Sequence, residues 1–334
     1  MYSVILLAGV SLSLGFHSLA AVSGQHSMEE FSSAEISNGL IKMHLFLPDS
    51  ERGYYRGTRF DWSGVILQVE YRGHTYFGEW KTTHNPEVHD DIVGPVEEFR
   101  TKGAALGYHE AKAGESFVKI GVGLLEKPDE PSYRFSYPYK IIRPGSWKVN
   151  SGKDWIEFQQ DFGDESGWGY LYTKKIRLTN GKPEFTIEHS LKNTGSKTIE
   201  THQYNHNFFI IDGDPIGRNY ILRFPFDVEV KRDLKGFIEA KGSQLIFSQD
   251  LEEGSLFTEL EGFRDDAKDH EIIIENKKTS AGVKINGDRP IALFYFWAVK
   301  TTICPEPYIE LRLAPGQKEE WKASYLFFIS GNGQ

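Results

Sequence analysis

Apolar and polar side chains alternate one by one along much of this 334-residue chain, the spacing of half-buried β-strands. In Phe185-Thr186-Ile187-Glu188-His189-Ser190-Leu191, Phe185, Ile187 and Leu191 share one side with His189, which reads as a structural histidine. Trp321, Ala323, Tyr325, Phe327 and Ile329 repeat the period near the C-terminus. Ile291 to Val299 is apolar throughout and predicts a central strand covered on both faces. Further strands are predicted at Val65–Tyr71, Phe117–Val122, Trp155–Phe158, Ile176–Leu178, Phe208–Ile211 and Glu271–Glu275. Turn signals separate them, among them Arg72-Gly73, Asn180-Gly181, Asn286-Gly287-Asp288 and Pro315-Gly316. Helical spacing is scarce; the one short helix it predicts covers Met28–Ile36, with Ser27 as N-cap. No internal repeat or linker divides the chain, so residues 25–334 read as a single large antiparallel β domain.

Composition narrows the class. The formal net charge is −9 and no run of Lys or Arg stands out, which argues against nucleic acid or an anionic membrane as partner. Val4 to Phe16 is apolar but too short to span a bilayer, and Ser18-Leu19-Ala20 offers small residues for a cut after Ala20. Residues 1–20 are therefore expected to be an export signal, although no Lys or Arg precedes the apolar run, and the location expected is secreted or periplasmic. Cys304 is the only cysteine, which excludes an intramolecular disulfide and any multi-cysteine metal site.

Two short segments hold the most suggestive chemistry: Tyr204-Asn205-His206-Asn207-Phe208-Phe209 and Cys304-Pro305-Glu306-Pro307. Each sets one ionisable side chain among rigid, mostly apolar neighbours, an arrangement suited to an acid/base pair. The bland alternatives are a solvated loop carboxylate for Glu306 and a satisfied core histidine for His206. Period two places His202, Tyr204 and His206 on one strand face, with His202 and Tyr204 as candidate substrate contacts. A metal site on His202 and His206 lacks a third ligand, and none is expected. Arg59, Arg100 and His109 are candidate sugar contacts, with Trp62, Trp80, Trp168 and Trp297 as candidate stacking surfaces; for Trp297 core packing is the stronger reading. The stretch Glu261–Glu271 reads as a solvated loop, in which Asp265 or Asp266 is a weaker candidate for a sugar hydroxyl.

Ile187–Thr194 followed by Asn205-His206-Asn207-Phe208-Phe209 resembles the strand-then-histidine region of aldose 1-epimerases and their galactose mutarotase-like relatives, where a "sLtNtg" strand leads to "NHxYFNL". Here Ile210-Ile211 replaces the final Asn-Leu. Cys304-Pro305-Glu306, then Leu313-Ala314-Pro315-Gly316 and Trp321, is similar to the family's "C-x-E" and "L-x-P-G-x-x-x-x-W" segments, most of all in its hexose-phosphate mutarotase branch. Arg56–Phe60 resembles the "R..rFG" region. The "N-x-L-H-G-G" loop has only Arg100–His109 as its nearest counterpart, with glycines and a histidine but not the motif. The resemblance spans about Ile187 to Phe328. It implies a β-supersandwich whose concave face holds a sugar, with Glu306 as base and His206 as acid in ring opening, and no cofactor. The expected function is an exported aldose 1-epimerase-like isomerase acting on a small sugar or oligosaccharide. Two rivals are a polysaccharide lyase using Tyr204 or His206 with Asn205 and Arg100, and a carbohydrate-binding module without turnover. A phosphorylated sugar is disfavoured by the export signal and by the lack of an evident basic cluster.

Overall fold

The computed structural model describes residues 30–234 and 236–331. The expected export signal lies outside the described residues, as does the start of the expected helix. Where that helix should continue, Ser33–Ser37 is a strand that pairs with Ile41–Phe46. The reason is local. Asn38 Oδ1 accepts hydrogen bonds from the N–H groups of Leu40 and Ile41, and Gly39 takes a φ of +87°, so the chain reverses at once and buries Ile36.

The expected all-β class holds: the described residues form sheets of ten, six, four and three antiparallel strands. The predicted strands at 185–191 and 321–329 are the hearts of Glu184–Asn193 and Lys318–Ile329, neighbours in the ten-stranded sheet. Two predictions ran long at their C-terminal ends. The strand from Ser116 stops at Lys119, and Gly121 (φ +83°) turns the chain where a Cβ would lie 2.7 Å from that of Asp61. The strand expected at Phe208–Ile211 instead ends at Phe208, having begun at Ile199.

The six-stranded sheet positions the site. Its order is Glu229–Val230, Ser255–Glu261, Leu293–Val299, Thr302–Leu313, Ile199–Phe208, Gly94–Arg100. One face packs on the ten-stranded sheet, with Phe294, Phe296 and Ala298 in a common core with Phe185, Ile187 and Phe327. On the 199–208 strand that hidden face carries amides. Trp321 Nε1 donates to Gln203 Oε1 (2.9 Å), Asn205 donates to the Tyr325 hydroxyl (3.2 Å), and that hydroxyl donates to Asn207 Oδ1 (2.9 Å). Asn207 also donates to the Pro305 carbonyl at 2.8 Å.

The continuous apolar run does not mark a strand covered on both faces. In Leu293–Val299 burial alternates: Phe294, Phe296 and Ala298 are buried, while Leu293, Tyr295, Trp297 and Val299 are only half-buried. Tyr295 and Trp297 are apolar because they wall a cleft, not because a second layer covers them.

Candidate active site

Alternation on three neighbouring strands sends every second side chain into that cleft. His206 and Phe208 come from one, Glu306 and Tyr308 from the next, Tyr295 and Trp297 from the third. Pairing of Tyr204 with Tyr308, continued two residues along antiparallel strands, sets His206 opposite Glu306. Their side chains meet, with His206 Nε2 3.1 Å from Glu306 Oε1, and each residue is 4% exposed. The imidazole is clamped by stacking on Phe208 (4.0 Å) and by the edges of Phe60 and Trp297. Its Nδ1 has no hydrogen-bond partner. The cleft has a volume of about 650 Å³, enough for a sugar of one or two rings.

Burial sets the charge state of the pair. Loss of water pushes the Glu306 carboxyl up to about 8, against the downward pull of Arg59. The same loss, reinforced by the Arg59 charge, holds the His206 imidazole well below its ordinary value. At neutral pH the pair thus carries one proton, on Glu306, with His206 neutral.

Beneath the cleft lies Glu98, fully buried and surrounded by cations. Arg59 Nε donates to one carboxylate oxygen at 2.9 Å and Lys119 Nζ to the other at 3.2 Å, while Arg100 Nε stands 3.8 Å away. The Tyr204 hydroxyl donates to Glu98 and accepts from Arg59 at 3.0 Å. Despite burial, these charges hold the Glu98 carboxyl far below its usual range. Lys119, buried and crowded by Arg100 and Arg59, is pushed down to about 8 although Glu98 opposes the shift.

Of the residues singled out from sequence, His206, Glu306, Arg59 and Arg100 line the cleft and Tyr204 supports it from below. His202 shares the strand face but is half-buried opposite Arg100 and Glu310, beyond the cleft lining. His109 does not join the site; it is exposed on the turn after Gly107, its ring edge against Tyr108. Asn205 points to the opposite sheet, which removes it from the lyase arrangement. Trp62 is buried with its Nε1–H bonded to the Gly57 carbonyl, Trp168 sits in a separate core cluster, and Trp80 supports the wall by stacking on Phe208. Trp297 is half-buried: it packs against a core cluster, as expected, and also walls the cleft. Among the described residues no three His, Cys, Asp or Glu side chains converge as metal ligands.

The sequence reading missed Glu98, Lys119, Tyr308, Phe135 and Phe257. Tyr308 was within reach, two places from Glu306 on the same face. Phe135 (38% exposed) and Phe257 (40% exposed) line the cleft from a loop and from the Ser255–Glu261 strand. A basic cluster, not evident in the sequence, is present in the fold. Its members are scattered at positions 59, 100 and 119, and only strand pairing gathers them around Glu98.

No protein-family model matches the chain, and no curated protein sequence matches it. Solved structures do. A galactose mutarotase-like protein from Lactobacillus casei superposes with a TM-score of 0.54 at 12% identity, covering 89% of this chain and 100% of the other. A candidate aldose 1-epimerase from Escherichia coli K12 gives 0.53 at 14% identity, covering 89% and 99%. A protein from Synechocystis sp. PCC 6803 gives 0.56 at 10% identity, covering 90% and 96%. At such identities the likeness is one of fold: the chain has the galactose mutarotase-like β-sandwich that the resemblance implied.

Proposed function

We propose that this protein is an aldose 1-epimerase-like isomerase that interconverts sugar anomers by opening and closing the ring. The observation that carries the reading is the His206–Glu306 contact at the wall of a sugar-sized cleft. Ring opening requires loss of a proton from the anomeric hydroxyl and gain of one at the ring oxygen, two oxygens carried by the same carbon. A donor and an acceptor 3.1 Å apart, holding one proton between them, suit two sites so close together.

On these charge states the proposal gives the pair the opposite roles to those the resemblance implies. Glu306, which keeps its proton to about pH 8, is the acid toward the ring oxygen, and neutral His206 is the base toward the anomeric hydroxyl. On closing, His206 returns its proton to the anomeric oxygen and Glu306 recovers its own from the ring oxygen, so the pair ends the cycle unchanged. Phe208, Phe60 and Trp297 fix the imidazole plane, and Tyr295 and Trp297 offer apolar surface to the sugar's C–H face. Export to the periplasm or medium remains part of the same proposal.

The test is proton NMR or polarimetry of freshly dissolved α-glucose, α-galactose and a uronic acid, with wild-type protein and Glu306→Gln. Accelerated equilibration that disappears in the variant supports the isomerase. Lack of acceleration with all three sugars rejects it and directs the next assay to unsaturated uronates.

A further inference from the structure

We propose that the cleft takes an acidic sugar, whose carboxylate or phosphate group rests against Arg59 and Arg100 while its ring lies beside His206 and Glu306. The position given to the ring rests on the isomerase reading; the charge argument does not. Three cations, Arg59, Arg100 and Lys119, surround a single carboxylate, Glu98, which leaves two positive charges in excess under the cleft. The excess is local, since the chain as a whole has a formal charge of −9. It is also poorly hydrated, with Arg59 8% exposed and Lys119 1% exposed. Buried charge of one sign is costly unless a counter-charge joins it, and a bound neutral sugar would remove water without supplying one.

The hydrogen bonding points the same way. Glu98 already has Arg59 and Lys119 on its two oxygens, while Arg100 stands outside hydrogen-bond range and its buried Nε has no partner. Its side chain also bonds the Tyr308 hydroxyl, a neutral group, so the guanidinium still lacks a close anion and can receive a planar or tetrahedral one. Phe135 lies over both guanidinium groups, 4.3 Å from Arg59 and 5.7 Å from Arg100, and screens them from bulk water. On the far wall Arg232 makes no ion pair among the described residues and lies 5.2 Å from the Phe257 ring. Asp90 and Glu259 also line the cleft, but Asp90 is paired with Lys81, so an acidic group entering it still meets Arg59 and Arg100 on one side and Arg232 on the other.

The test is calorimetric titration of the full chain with glucuronate, galacturonate, glucose 6-phosphate, glucose, galactose and inorganic phosphate, run beside an NMR assay of anomer equilibration. The expected result is that at least one acidic sugar binds roughly tenfold tighter than the neutral hexoses, as a charge-assisted contact warrants. Arg100→Met should bring that ratio to within about threefold, and Arg100→Lys, which keeps the charge but not the fork, should fall between. The wild-type ratio decides the matter even if a variant fails to fold. A lead for the uronates identifies a carboxylate group, and a lead for glucose 6-phosphate identifies a phosphate group. Neutral hexoses binding as tightly as every acidic one, or inorganic phosphate matching the best sugar, would overturn the proposal. An acidic sugar that binds selectively but is not equilibrated would sink the isomerase reading and leave the acidic site standing. Equilibration of neutral sugars without acidic preference would do the reverse.

Discussion

Two buried histidine–glutamate pairs lie among the described residues, and they behave in opposite ways. Between the sheets, His189 Nε2 is 3.0 Å from Glu97 Oε1; at the cleft, His206 Nε2 is 3.1 Å from Glu306 Oε1. The distances and burial are alike, and the difference is a lysine. Lys174 Nζ, fully buried, reaches Glu97 Oε2 at 2.5 Å and donates to the Ser63 carbonyl, so Glu97 is held ionised below its usual range although burial opposes it. Among the described residues Glu306 makes no such contact with a lysine or arginine; Arg59, the charge that acts on it most, is bonded to Glu98 and Tyr204. One pair is a fixed charge that joins two sheets. The other can give and take a proton.

The largest expected effect falls on the cleft pair. Replacing Glu306 by Gln should lower anomer-equilibration rates by about 10²–10⁴-fold, the usual worth of a general acid, while melting temperature holds or rises. An unaltered rate would remove Glu306 from the chemistry. Next comes Lys174→Met, which strands Glu97 beside His189 and should cost about 3–5 kcal/mol in chemical denaturation. A loss below 1 kcal/mol would mean that the lysine does not make the difference between the pairs.

The pH profile separates the two pairs further. The working form has Glu306 protonated and His206 neutral, so raising pH through about 8 removes the acid, and the rate should fall by ~tenfold per unit beyond it. On the acid side the fall should come below the ordinary histidine range, because His206 is depressed. A single limb centred near 6.5 would return the acid role to His206. The smallest effect on turnover is expected for His189→Gln: about 1–3 kcal/mol of stability lost, with rates at 25 °C within about twofold of wild type. A large rate loss there would mean the inner pair is coupled to the cleft.

The contrast between these pairs explains what could be read from sequence. Alternation in Phe185–Leu191 set His189 on a buried face, and motif likeness singled out His206 and Glu306, because both signals are local. The lysine that distinguishes the pairs is not local: Lys174 reaches Glu97 across a gap of 77 residues. Glu97 and Glu98 are neighbours in the chain, yet the strand turns one to the inner sheet and the other to the cleft floor. Nothing in the pair of letters says which is which until strand register is known. His109 failed for the converse reason. A glycine-rich loop gave it the right company in sequence, but the turn after Gly107 carries it to the surface.

The amides on the hidden side of the 199–208 strand have a consequence for inheritance of the site. Gln203, Asn205 and Asn207 never face the cleft, yet each is matched to an aromatic donor or hydroxyl of the opposite sheet. Slippage by a single residue would exchange the two faces, sending amides to the cleft and His206 into the interior. Trp321 and Tyr325 would then face residues that cannot answer them. The ladder works as a keyed joint: it admits one alignment, and that alignment presents the imidazole. Random mutagenesis scored for activity should therefore recover losses at these three silent positions, in molecules whose visible cleft residues are all intact.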